Sequence, residues 1–191
     1  MLLKINQNFN KINFINFLLS FIPLSFILGN LAININIFIL IISSLLFYQK
    51  KIFKINFCLL DHFVIILFSF ILFTGLFNTF NGFKNFYSDF TVLIKTFSYL
   101  RYLLLYFVIR YLVEYNIVNF KIFFLSASIF SVLVATDVCI QYIYGKDFFG
   151  FEPVGRKFAG PFNDELISGG YMQRFSFFLI FLTFLRGFIE F

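Results

Sequence analysis

The chain has 191 residues and a formal net charge of +6, with 61% hydrophobic residues and only 13% charged ones. Because about a quarter of the residues of a typical soluble domain are charged, this composition excludes an ordinary soluble domain and indicates an integral membrane protein. The basic residues flank apolar runs, as they do at the ends of membrane spans, so no nucleic-acid partner is expected. In the topology predicted below, Cys58 and Cys139 fall near opposite faces of the membrane, and they lack metal-ligand spacing, so neither a disulfide between them nor a metal site is expected.

Six apolar runs approach the roughly 20 residues that a helix needs to cross a bilayer. We therefore predict an all-α fold, a polytopic transmembrane helix bundle of about six spans, as a single transmembrane domain over residues 1–191. A Gly-rich periplasmic loop lies between the fifth and sixth spans. The predicted spans are 14–28, 31–48, 62–80, 96–113, 122–144 and 171–189.

The first two spans are separated only by Gly29 and Asn30, which predicts a tight helical hairpin. No small-residue cleavage site follows the first run, so a removable signal peptide is not expected. Basic residues of the short loops are enriched on the side of the N-terminus, which predicts a cytoplasmic N-terminus and an external loop after the fifth span. The residues on that side are Lys4, Lys11, Lys50, Lys51, Lys54, Lys121 and Arg186.

The third and fourth spans carry charges near their cytoplasmic ends. Asp61 is expected to cap the third helix. His62, the one histidine of the sequence, is predicted to lie on the wrong face for chemistry outside the cell. Arg110 and Glu114 are four residues apart, which predicts a local ion pair on the fourth helix.

Four polar residues are predicted in the outer third of the membrane: Arg101, Asp137, Gln141 and Arg174. Ionisable residues within spans are costly and therefore point to function. Two interpretations stay open. Arg101 and Asp137 form a structural ion pair while Arg174 extends to the membrane surface, or the four residues line a polar pocket for an anionic head group, to which the planar guanidinium is suited.

The loop over residues 145–170 is longer than a simple turn between two spans requires. Its glycines predict turns whose backbone N–H groups, together with Arg156, can bind phosphate. Asp164 and Glu165 are candidates for a general base or for orienting a hydroxyl group. The alternative is a solvated connection. The glycines at five-residue intervals are Gly145, Gly150, Gly155 and Gly160.

The stretch from Asp137 to Tyr171 contains DVCIQYIYGKDFFG and then RKFAGPFNDELISGGY. It resembles the bacterial O-antigen ligase and O-antigen polymerase family of polytopic membrane glycosyltransferases, and FIPLSFILG at 21–29 is similar to the first hairpin of such proteins. The resemblance covers most of this chain but only the N-terminal half of a typical family member.

This resemblance implies a multi-pass protein of the bacterial inner membrane that transfers glycan from an undecaprenyl-diphosphate donor without a metal or cofactor. The acceptor is lipid A-core for ligases and another glycan for polymerases. Arg156, with Arg101 and Arg174, then binds the diphosphate. Because family members continue with a large periplasmic loop and further spans, we expect this chain alone to be an inactive fragment.

Two other functions stay open. A transporter or flippase component would use Arg101 and Asp137 to line a path, and it would have helices broken near the midplane, for which Gly75 and Pro23 are the candidates. A non-catalytic assembly subunit of polysaccharide export is the third possibility.

Overall fold

A computed structural model of the chain describes residues 2–81, 86–153, 157–162 and 167–189. These residues form α-helices joined by short turns and one longer loop, and they contain no strand. Short 3₁₀ turns cover Gln49–Lys54 and Gly160–Phe162. The helices are α1 (Leu2–Ser20), α2 (Ile22–Ile27), α3 (Asn30–Tyr48), α4 (Leu59–Asn81), α5 (Phe86–Glu114), α6 (Phe120–Tyr144) and α7 (Ser168–Ile189).

Five segments within the described residues are long and apolar enough to cross a membrane. They coincide with the first five predicted spans, so the all-α, multi-pass architecture is confirmed. The sixth predicted span is helical, as α7, but it is not among the five, and a count of six stays a prediction. The segments are Asn10–Ile27, Asn30–Tyr48, Leu59–Thr79, Thr91–Glu114 and Phe120–Tyr144.

Helix α4 shows why these segments suit lipid. Its large apolar side chains recur at helical spacing, and most of their surface is exposed in the folded chain. In water such a continuous apolar stripe would be unfavourable, whereas hydrocarbon tails cover it at no cost. The stripe consists of Phe63, Ile66, Phe70, Phe73 and Phe77.

The chain divides into two compact units, one formed by Met1–Leu40 with Ile117–Phe191 and the other by Ile41–Asn116. In the first unit α6 is the central helix and packs against α1, α2 and α7. Its core joins small residues of α6 to aromatic residues of α7 and of the 3₁₀ turn. The buried members are Ala127, Val134, Phe162, Tyr171 and Phe175.

The predicted hairpin at Gly29 is present. Gly29 has φ +101°, a left-handed conformation that glycine adopts without strain, and α3 begins at the next residue. The Asn36 side chain on α3 donates a hydrogen bond of 3.2 Å to the carbonyl of Leu18 on α1. Pro23 lies in the first turn of α2, where its missing N–H costs little. The helix break suggested at Pro23 therefore lies just before it, at Phe21.

A second buried amide ties α1 to the start of α6. Asn16 Nδ2 donates to the carbonyl of Ile117 at 2.9 Å, and Asn16 Oδ1 accepts from the N–H of Asn119 at 2.7 Å. Asn119 is itself the N-cap of α6. Because polar groups inside a membrane protein have no water to bond, such pairing fixes how neighbouring helices meet.

The second unit is built on the packing of α4 against α5. Gly75 lies directly against the buried Thr96, and a Cβ atom at Gly75 would overlap the Thr96 side chain. Gly75 therefore allows a close approach of two helices. It does not break α4, which is continuous from Leu59 to Asn81, so the midplane break that the transporter interpretation requires is not found at Gly75.

Asp61 stabilises the start of α4, but from within the first turn and not as the predicted N-cap: α4 begins at Leu59, earlier than the predicted span, and Asp61 Oδ2 accepts from the N–H of Cys58, the residue just before the helix, at 2.7 Å. Asp61 is buried and also pairs with Arg110 and accepts from the Tyr106 hydroxyl at 2.6 Å. Arg110 thus pairs with Asp61 rather than with Glu114. A buried carboxylate offers Arg110 a stronger partner than the exposed Glu114 does.

Candidate anion-binding site

The site lies in the first unit, where the loop after α6 leads into α7. Helix α6 ends at Gly145, which has φ +75° and donates its N–H to the carbonyl of Gln141 at 3.0 Å. The predicted glycine turns are confirmed at Gly145, Gly150 and Gly160, all of which have positive φ. Gly155 lies outside the described residues.

Two buried aspartates organise the first part of the loop. Asp137 Oδ1 accepts from the N–H of Phe148 at 2.8 Å. Asp147 Oδ1 accepts from the N–H groups of Phe149 and Phe151 at 3.0 and 2.7 Å. The Oδ2 atoms of both aspartates are enclosed and have no hydrogen-bond partner within the described part of the chain. Each carboxylate therefore fixes the loop backbone through its Oδ1 atom and keeps its Oδ2 atom without a partner in the described part of the chain.

Gln141 joins two distant points of the loop. Its side chain is fully buried. Its Oε1 accepts from the N–H of Gly160 at 3.0 Å, and its Nε2 donates to the carbonyl of Phe151 at 3.2 Å. One amide therefore fastens both halves of the described loop to the end of α6.

The anchored Gly160 sets the position of the next residues. It has φ +58°, and a Cβ there would lie 2.8 Å from the Val138 side chain, so the position requires glycine. The 3₁₀ turn that follows brings the Phe162 ring to 5.5 Å from the Tyr171 ring. The Tyr171 hydroxyl in turn donates to the carbonyl of Pro23 at 3.1 Å. The loop, α7 and α2 are thus joined by consecutive contacts.

These contacts enclose a cavity of about 330 Å³. Arg174 is the charged residue among its described lining residues, and its guanidinium carbon lies 5.7 Å from the centre of the Phe26 ring. No acidic side chain is among the described lining residues. The cavity is lined by Phe26, Gly29, Asn30, Ile33, Phe162, Ile167, Gly170, Tyr171 and Arg174.

The electrostatics of this cavity favour an anion. Residues at the starts of two helices line it, Asn30 of α3 and Gly170 of α7 among them. The first N–H groups of a helix have no partner within the helix and carry partial positive charge. A Cβ at Gly169 or Gly170 would meet nothing within 4 Å, so a ligand can approach this backbone closely. Arg174 adds a full positive charge.

The structure thus brings some of the predicted site residues together. Asp137 and Gln141 lie one turn apart and hold the loop, and Arg174 lines the cavity that this loop helps to enclose. Arg101 belongs to the other unit, so its predicted pairing with Asp137 and its part in ligand binding stay predictions. Arg156, Asp164 and Glu165 lie outside the described residues.

The sequence analysis did not predict the role of Asp147, nor that of Phe26 and Tyr171, the aromatic residues that line the cavity. The signal for Asp147 was present, because Asp followed three residues later by Gly favours a β-turn, and the N–H of Gly150 does donate to the Asp147 carbonyl at 3.1 Å. The walls Phe26 and Tyr171 carried no such signal, since aromatic residues make up 24% of the whole sequence.

Comparison of the chain with protein-family models, with curated proteins and with solved structures finds no match.

Proposed function

We propose that this protein binds the diphosphate of a polyprenyl-linked glycan at the outer face of the bacterial inner membrane and takes part in transferring that glycan, as O-antigen ligases and polymerases do. The observation that supports the proposal is the cavity at Arg174, which combines its guanidinium with residues from the first turns of two helices and has no acidic side chain among its described lining residues. The product of the proposed transfer is a cell-surface polysaccharide, such as lipopolysaccharide.

The size and lining of the cavity suit such a ligand. A volume of about 330 Å³ falls within the roughly 300–1,000 Å³ of typical ligand sites. A diphosphate presents several oxygens that Arg174 can contact bidentately while backbone N–H groups contact others. The exposed apolar helices leave the polyprenyl tail free to remain in the bilayer.

Anion binding would also assist the transfer step. In that step the bond between the sugar carbon and the diphosphate oxygen breaks, and a bond from the acceptor hydroxyl oxygen to the same carbon forms. Negative charge then grows on the departing diphosphate, and fixed positive groups stabilise it. The hydroxyl proton passes to a base, for which Asp164 and Glu165 remain the candidates.

Complementation tests this function. The gene's complete reading frame is expressed in two hosts, one lacking its O-antigen ligase and the other its O-antigen polymerase, and lipopolysaccharide is separated on a gel. Rescue of long-chain polysaccharide is expected in one host, and the host that is rescued distinguishes ligase from polymerase. Arg174→Gln is expected to abolish rescue, whereas Lys121→Gln, which removes a charge from the start of α6, is expected to retain it.

Absence of rescue in both hosts, with the protein found in the membrane at normal abundance and with donors of matched sugar composition, would contradict glycan transfer. A requirement for the protein in glycan export without any effect of Arg174→Gln would favour the transporter or the assembly subunit.

A further inference from the structure

We propose that Lys95 and Arg101 on α5 form a binding site for the phosphate of an anionic phospholipid, separate from the cavity at Arg174. The site belongs to the second unit, and the argument for it is independent of the proposed glycan transfer.

The residues form a groove along one helix. Lys95, Ser98, Tyr99 and Tyr102 are spaced i, i+3, i+4 and i+7, which places them on one face of α5. Together with Arg101 they line a cavity of about 390 Å³. The groove thus contains two cations and three hydroxyl groups, and none of its described lining residues is acidic.

Stacking brings Arg101 to this face. Its guanidinium carbon lies 4.8 Å from the centre of the Tyr102 ring, and its Nη2 donates to the Tyr102 hydroxyl at 3.0 Å. The Tyr102 ring is in turn 6.1 Å from the ring of Tyr99. The Arg101 Nε atom is enclosed and has no hydrogen-bond partner within the described residues. The stacking and the hydrogen bond to Tyr102 therefore hold the Arg101 guanidinium on the face of α5 that lines the groove.

Both cations lie within the apolar segment Thr91–Glu114. A basic side chain inside a span is costly unless an anion or the membrane surface is within reach. Among the described side chains of this unit the carboxylates are Asp61, which pairs with Arg110, and Glu114, about 20 Å along the helix from Arg101. Neither of these two carboxylates is available to Lys95 or Arg101, so among the described side chains of this unit the two cations of the groove have no acidic partner, and the groove can take an anion from outside the chain.

The surroundings favour a phospholipid over a free anion. Ile94 and Phe97 are each more than half exposed beside the groove, and Leu104 is exposed one turn beyond Arg101. A lipid whose phosphate contacts Lys95 and Arg101 would lay its acyl chains on these apolar side chains. A free phosphate would bury none of this surface.

The test measures lipid preference of the purified full chain. The protein is delipidated in mild detergent, and phosphatidylglycerol and phosphatidylcholine with identical acyl chains are added in equal amounts. Native mass spectrometry then gives the ratio of the two bound lipids. We expect phosphatidylglycerol to predominate on the unmodified protein. In the double variant Lys95→Gln/Arg101→Gln, the ratio of phosphatidylglycerol to phosphatidylcholine is expected to fall about fivefold for each cation removed. A fivefold change corresponds to about 1 kcal/mol for each basic residue. The control Lys121→Gln/Lys146→Gln removes the same net charge and is expected to keep the ratio.

Tyr102→Phe provides a second variant that keeps the helix and the ring while removing the hydroxyl that Arg101 contacts. A smaller fall in the same ratio is expected, and circular dichroism confirms that the helices remain. An unchanged ratio in both variants would overturn the proposal. So would equal binding of the two lipids by the unmodified protein. If the variants lost binding of added undecaprenyl diphosphate while their phospholipid ratio stayed unchanged, these residues would belong to the site for the glycan donor instead.

Discussion

Replacing Gln141 with methionine is expected to release the loop after α6 while leaving the helix intact. Methionine has nearly the length and the helix propensity of glutamine, but it makes neither hydrogen bond of the Gln141 amide. The variant removes the acceptor for the Gly160 N–H and the donor for the Phe151 carbonyl.

The two losses differ in size. Gly160 is buried, so its N–H is left without a partner, at a cost of about 1–3 kcal/mol. The Phe151 carbonyl still accepts from the N–H of Asp147, so the second loss is about 0.5–1.5 kcal/mol. Together they amount to about 1.5–4.5 kcal/mol, which raises the population of the open loop by a factor of roughly 10 to 2,000.

Hydrogen–deuterium exchange of peptides from the loop measures this opening directly. Exchange at Gly160 is expected to accelerate by that factor, whereas Phe148, whose N–H is held by Asp137, is expected to accelerate less. Ile143→Met is the matched control, because Ile143 lies on the same helix with most of its side chain exposed. Unchanged exchange at Gly160 in Gln141→Met, with helix content retained, would refute the role assigned to Gln141.

Three further substitutions test the packing of the two units by thermal unfolding in detergent. Gly75→Ala is expected to destabilise by about 1–3 kcal/mol because the new methyl group overlaps Thr96; Thr96→Gly should recover part of this loss, and Gly169→Ala, which meets open space, should be neutral. Asp61→Leu is expected to cost about 3–5 kcal/mol because it leaves Arg110 without its carboxylate; the additional change Arg110→Met should restore part of the stability, and no recovery would argue against the pairing. Tyr171→Phe is expected to cost about 1 kcal/mol, the value of its hydrogen bond to the Pro23 carbonyl, whereas Tyr171→Ala should cost about 3–5 kcal/mol; equal losses would contradict the packing role of the ring.

The helices could be predicted from the sequence because the bilayer imposes their length and apolar character residue by residue. Local features followed as well, such as the hairpin at Gly29 and the presence of Asp61 at the start of α4, since each depends on neighbours within a few residues; the exact start of α4, and so the position of Asp61 in its first turn, did not. What could not be predicted were contacts between distant segments. Arg110 has a local candidate in Glu114, but the fold presents it with Asp61.

The candidate site divides in the same way. The glycine spacing predicted turns, and the polar residues Asp137 and Gln141 were recognised as unusual within a span. Their partners are backbone N–H groups of the loop, which the sequence does not identify because every residue but proline carries one. The cavity depends on Phe26 and Tyr171, which are far apart in the chain. Nothing in the sequence distinguishes these two residues from the many aromatic residues of the chain that face lipid.

Direct binding of undecaprenyl diphosphate to the full chain in lipid nanodiscs tests the central claim that the Arg174 cavity holds a diphosphate. Titrations compare the unmodified protein, Arg174→Gln and the control Lys121→Gln, each with undecaprenyl diphosphate and with the neutral alcohol undecaprenol. The account predicts that the diphosphate binds more tightly than the alcohol and that Arg174→Gln weakens its binding about tenfold to a hundredfold, as expected for loss of a charged hydrogen-bonding group. Equal affinity for diphosphate and alcohol, or unchanged affinity in Arg174→Gln, would contradict it.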